Sequence, residues 1–171
     1  EKNKITGHGS LIFAYSLGKA QRVLAGLDSS IGPIYAHSAV HSFLEHYHNA
    51  GIVLPEVKKV DKEKDFSGAM IIAPPAVEDS SWTKIFKKTK RGFASGWMAI
   101  RGPRRRKNID RGFILSDHAD WPGLIDVITS TGAEMVKLTH GNGDALSRFL
   151  GEKGINASVL NESSFRQEER D

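Results

Sequence analysis

The sequence contains no cysteine, so disulfides, zinc–thiolate centres and thiol nucleophiles are excluded, and any metal must be held by His, Asp or Glu. No apolar run approaches the ~20 residues needed to cross a bilayer, and no signal-peptide pattern opens the chain. The expectation is a cytoplasmic protein with no membrane partner. Six prolines and 17 glycines are too few for a proline-rich or collagen-like chain. An initiating Met is also missing. The chain opens Glu1-Lys2-Asn3-Lys4 and soon meets an apolar segment, so a piece of a longer protein is expected. The 171 residues are 39% hydrophobic and 26% charged, ordinary values for one globular domain or two small ones.

Acidic residues are scarce in one stretch. From Trp82 to Arg111 there are 11 Lys or Arg and a single acid, Asp110, a charge of +10 within a chain of +4 that leaves −6 for the rest. Arg101-Gly102-Pro103-Arg104-Arg105-Arg106-Lys107 is unsuited to a packed strand, because Pro103 interrupts a ladder and adjacent guanidinium groups repel without an anion between them. Two readings fit: a contact with nucleic-acid phosphates, whose affinity would depend on salt, or a solvated loop that keeps the protein soluble.

Apolar patterning alternates between short strand-like runs and helical periods. Strands are expected at 10–15, 33–36, 69–73, 93–100, 112–115, 135–138 and 157–160. Helices are expected from a Ser16 cap through Leu27, from a Ser38 cap to Gly51, around 82–88, at 120–130 with Pro122 in the first turn, and at 144–152. Residues 55–65 read as a charged connection, and the tail from Asn161 as polar and frayed. Alternation of this kind implies an α/β class with a largely parallel sheet covered on both faces, whose ligands gather beyond the carboxyl ends of the strands.

Seven histidines are present, and two of them follow strands. His118 lies in Phe113-Ile114-Leu115-Ser116-Asp117-His118-Ala119-Asp120, and His140 in Met135-Val136-Lys137-Leu138-Thr139-His140-Gly141. If the two strands are neighbours, both rings face one cleft, where neutral imidazole ligates zinc and Asp117 or Asp120 fixes the tautomer. The plainer alternative makes each a capping or surface residue. His37 and His41 share an i,i+4 spacing that reads as plain helix surface, and His46 and His48 look incidental.

Four segments together carry a resemblance: Ser95-Gly96-Trp97-Met98, Arg101 to Arg106, Asp110-Arg111-Gly112-Phe113, and Ser116-Asp117-His118-Ala119-Asp120-Trp121. They resemble the β-CASP nucleases of the metallo-β-lactamase fold, in particular the branch of DNA-ligase-associated exonucleases also labelled mRNA 3′-end processing factors. Phe13-Ala14-Tyr15-Ser16-Leu17-Gly18-Lys19-Ala20-Gln21-Arg22 resembles the F-x-x-G-R-x-Q opening of the β-CASP insert, with Lys19 where Arg is commoner. The resemblance covers nearly the whole chain. It implies a parallel-sheet β-CASP portion at 1–110, followed at 111–171 by the C-terminal portion of a metallo-β-lactamase αββα fold.

The resemblance also implies roles. His118 matches the motif B histidine, a proton donor beside the metals. His140 matches the motif C histidine, a zinc ligand, and their spacing of 22 residues agrees with the pattern. Asp120, two residues after motif B, would orient neighbouring groups. Lys19, Arg101, Arg104, Arg105, Arg106 and Lys107 would grip the nucleic-acid backbone. Trp97 or Trp121 would stack on a base, unless packed in a core. The main metal motif, H-x-H-x-D-H, and the acidic motif A are absent from these residues, so the segment alone would be inactive. The implied activity of the intact protein is a zinc-dependent exonuclease acting on DNA in repair, with two zinc ions (or manganese). An ATP-dependent DNA ligase and a helicase would share its pathway. The alternatives are a nucleic-acid-binding β-CASP module without chemistry, and an RNA-processing nuclease resembling ribonuclease J, from which the Ser-Asp-His-Ala-Asp-Trp run points away.

Overall fold

A strand that is apolar at every position must be covered on both faces, and the chain meets this demand with a parallel sheet. The computed structural model describes residues 1–61, 65–100, 109–139, 141 and 143–160. The chain divides into two compact units, Glu1–Asp117 and His118–Asp171. The run from Arg101 to Lys107 and His140 lie outside the described residues.

The first unit is built on a six-stranded sheet in the order β3-β2-β4-β1-β5-β6. The strands are β1 (Gly9–Phe13), β2 (Ile34–Ala36), β3 (Lys58–Lys59), β4 (Met70–Ala73), β5 (Thr89–Ala94) and β6 (Arg111–Phe113). Every pairing is parallel, as the alternation of elements predicts. β1 sits centrally, with Ile12 matched to Ile72 of β4 and to Gly92 of β5. On one face Ile12, Ala14, Ile34, Ala36 and Ile72 pack with Ala20, Leu24, Val40 and Leu44 from the helices Lys19–Ala25, Ser38–His41 and Leu44–Asn49. On the other, Leu11, Phe13, Tyr35, Ile71 and Phe93 meet Phe66, Phe86 and Met98. Edge-on ring contacts run from Tyr35 to Phe66 (5.2 Å) and from Phe66 to Phe86 (4.8 Å), each adding modestly to the area they bury.

Several local expectations are corrected. The helix after β1 starts at Lys19 with Gly18 at its N-cap, so Ser16 does not cap it. Instead, the Ser16 carbonyl accepts from Gln21 Nε2 (3.0 Å). His37, not Ser38, caps the next helix, its Nδ1 accepting from the Ala39 N–H (3.1 Å). The expected single helix to Gly51 is two helices, Ser38–His41 and Leu44–Asn49, and Phe43 between them bonds back to Val40, one residue short of the α pattern. The strand expected over 93–100 covers Thr89–Ala94, followed by the 3₁₀ turn Gly96–Ala99. Pairing with β1 over Gly9–Phe13 draws Lys90 and Arg91 into the ladder against their propensity. Asp110 makes this tolerable, with Oδ1 accepting from Lys90 Nζ (3.1 Å) and Oδ2 from the Arg91 N–H (2.8 Å). The charged connection at 55–65 holds the short edge strand β3, whose lysines suit an unpaired edge. The chain divides after Asp117, where β6 has completed the first sheet.

The second unit contains two parallel strands, β7 (Met135–Leu138) and β8 (Asn156–Val159), with helices Trp121–Ser130 and Gly143–Glu152. Leu150 is fully buried, and the Trp121 ring lies edge-on to Phe149 at 5.2 Å. Val127 of the first of these helices and Met135 of β7 are more than half exposed. β6 and β7 belong to different sheets. The expectation that His118 and His140 face one cleft involves His140, which lies outside the described residues. Among the described residues, no helix is long and apolar enough to cross a membrane.

Candidate functional site

The chain leaves β1 toward β2 on one side of the sheet and leaves β5 toward β6 on the other. Where neighbouring strands part in this way, the carboxyl edge opens into a crevice, the usual place for ligands in open α/β sheets. The side chains at this edge come from three connections: Tyr15 to Arg22 after β1, Ser95 to Trp97 after β5, and Ser116–Asp117 after β6.

Gly18 shapes the first connection. Its φ of 78° and ψ of −70° place it in a γ-turn, closed by the Lys19 N–H donating to the Leu17 carbonyl (3.0 Å). Side chains other than hydrogen are strained there, and the turn delivers Lys19 inward as the helix begins. Lys19 is 4% exposed. Its Nζ lies 2.9 Å from Asp117 Oδ1 and 4.9 Å from the centre of the Tyr15 ring. Three residues on, Arg22 Nη1 donates to the Ser116 carbonyl at 2.6 Å. Gln21, between them, is 2% exposed. Its Nε2 holds Ser16, while its Oε1 finds no donor among the described residues.

The second connection packs beneath the third. The Ser95 N–H donates to the Phe113 carbonyl (3.0 Å), and the Ser95 carbonyl accepts from Leu115 (3.4 Å). Ser95 Oγ caps the 3₁₀ turn by accepting from the Trp97 N–H (3.3 Å). A Cβ on Gly96 would stand 3.3 Å from that of Ser116, so glycine permits the close approach. Trp97 is 66% exposed, and packing in a core, the plainer expectation for it, is not what holds it.

The sequence-predicted residues are thus distributed unevenly. His118 opens the second unit, directly after the anchored Asp117, and is exposed. Asp120 is the N-cap of the helix Trp121–Ser130, its Oδ1 accepting from the Gly123 N–H (2.9 Å). Lys19 is turned inward onto Asp117 and not held out to solvent. His140, Arg101, Arg104, Arg105, Arg106 and Lys107 fall outside the described residues. Gln21 stands at the Q of the F-x-x-G-R-x-Q resemblance but was given no role there, and Arg22 was not named as a site residue, although the i,i+3 spacing of Lys19 and Arg22 was a signal that both serve one face. His37 is half-buried with its ring edge-on to Trp82 at 4.7 Å, and burial lowers its pKa below 6.5.

Among the described residues, no group of three or more His, Asp or Glu side chains converges to hold an ion. The described residues therefore do not fit a zinc centre by themselves, and no chemical step is derived through one.

Fold and edge together define an α/β protein whose polar residues collect at the carboxyl end of a parallel sheet. No family model matches the chain. It is similar to a protein of Opitutus terrae (strain DSM 11246 / JCM 15787 / PB90-1) named "Probable DNA ligase", at 29% identity over 154 residues. The match takes in 90% of this chain and 15% of that relative's length.

Proposed function

We propose that the chain is the β-CASP and C-terminal lactamase-like part of a zinc-dependent nuclease that hydrolyses DNA, an exonuclease of ligase-associated repair. The single observation that carries this reading is the anchored turn Ser116-Asp117, fixed at the carboxyl edge by Lys19 and Arg22 and leading directly into His118. The likeness to a protein named as a probable DNA ligase supports DNA as the substrate, and the +10 segment supports contact with phosphate. In this role His118 protonates the leaving oxygen of the phosphodiester, while Arg101 and Arg104 to Lys107 hold the strand without reading its sequence. Trp97, exposed at the same edge as the anchored turn, offers a base a stacking surface. His140 is the residue proposed to ligate zinc. The ligase and helicase partnership, and manganese as a substitute metal, belong to the same reading.

A second reading, a nucleic-acid-binding module without chemistry, is favoured by the lack of a metal donor set among the described residues. Digestion of radiolabelled DNA and RNA by the full-length polypeptide, with added zinc or manganese, separates the two. The nuclease reading expects DNA cleavage that falls at least about 100-fold in His118→Ala, the scale of lost general-acid catalysis. Unchanged turnover in both His118→Ala and His140→Ala would sink it. Faster cleavage of RNA would move the protein to the RNA-processing branch.

A further inference from the structure

We infer that Lys19 and Arg22 are positioning residues that act through the Asp117 carboxylate and the Ser116 carbonyl to set His118, and that Lys19 is not a phosphate contact. The inference rests on the nuclease reading above and concerns the same site. A lysine that serves a nucleic-acid backbone keeps its ammonium at the surface and lets its stem snorkel there. Lys19 does the opposite: it is 4% exposed and lies 2.9 Å from Asp117 Oδ1, with the Tyr15 ring at 4.9 Å closing one side. So dry a cation is tolerated only because a carboxylate meets it. Arg22, one turn further along the same helix, reaches 94 residues along the sequence to the Ser116 carbonyl.

Two cations from one seven-residue helix therefore grip two consecutive residues. The next residue in the chain is His118. Consecutive Cα atoms are 3.8 Å apart, so fixing Ser116 and Asp117 confines the start of the His118 side chain. The grip is itself braced. Gln21 ties the helix to the Ser16 carbonyl, the Gly18 γ-turn sets its first residue, and Gly96 lets Ser116 settle on the β5 connection. A general acid displaced by about 1 Å loses on the order of 100-fold in rate, so such bracing is a catalytic requirement as well as a structural one.

The test uses the full-length polypeptide and steady-state cleavage of single-stranded DNA. Lys19→Met is expected to lower kcat by about 10- to 100-fold with KM within about twofold of wild type, and Lys19→Arg to restore most of the loss by keeping the pair with Asp117. Val40→Ala, a core truncation on the same sheet face, controls for stability and is expected to keep the wild-type kcat below its melting temperature. Should Lys19→Met fail to fold, Asp117→Asn carries the same expectation from a side chain that is one-third exposed. A raised KM with unchanged kcat would return Lys19 to phosphate contact and overturn the proposal. Unchanged kinetics, or an equal kcat loss in Val40→Ala, would overturn it too, with the nuclease reading left standing. A wild-type protein that cleaves no DNA would overturn both.

Discussion

His37 joins three roles in one ring: it caps a helix through Nδ1, packs on Trp82, and is half-buried. A cap that accepts a backbone N–H cannot carry a proton on the accepting nitrogen, so both the cap and burial oppose the charged form. The folded pKa is lowered below 6.5, chiefly by burial. His37 is neutral in both states above that value, and its full contribution to stability is present there. As pH falls below 6.5 the unfolded chain takes up the proton first, and the contribution is lost toward the folded pKa. Melting temperature should therefore drop between pH 7 and 5 more steeply in wild type than in His37→Ser, which keeps a capping oxygen but does not titrate. Equal slopes in a calorimetric series would refute the assignment. Trp97 gives the matching residue-scale expectation for binding, since Trp97→Ala should weaken single-stranded DNA binding by about 1–3 kcal/mol, measured by fluorescence anisotropy.

Two short elements show how local chemistry fixes a site. The γ-turn at Gly18 forces φ positive, so Gly18→Ala should cost about 1–3 kcal/mol in urea unfolding. The Cβ it adds would stand 3.5 Å from Asp117 Oδ2, close enough to touch the pair without colliding. In the second unit, Asp120→Ala removes the cap on Gly123 and should cost about 1 kcal/mol, which Asp120→Asn largely restores. Pro122 in the first turn of Trp121–Ser130 was legible in the sequence, because a missing N–H costs nothing there, whereas Asp120, read only as an orienting acid, is the N-cap. The start of the helix after β1 was not legible. Ser16 has the chemistry of a cap, but the γ-turn two residues later claims the backbone and shifts the first helical residue to Lys19.

For the whole molecule, the charge asymmetry matters more than the total. If the Trp82–Arg111 segment grips a strand of DNA, replacing Arg104, Arg105 and Arg106 with Gln should reduce the slope of log K against log salt by about 2, at ~0.7 per phosphate contact on a single strand. A slope unchanged in a titration from 50 to 200 mM salt would leave the run as a solubilising loop.

What the sequence alone determined is whatever rests on short-range pattern: a parallel α/β sheet, the approximate place of β1, β4 and β7, the strand-to-helix positions of His118 and Asp120, and the basic stretch. Apolar periodicity and capping chemistry are written within a few residues, so they can be read without a partner. Only the tertiary structure decided that β1 lies between β4 and β5, that β6 and β7 fall in separate sheets, and that Lys19 meets Asp117 instead of solvent. Those outcomes depend on which residues, nearly a hundred positions apart, come together to keep buried charge paired and both faces of a strand covered. That selection is made by the whole chain at once.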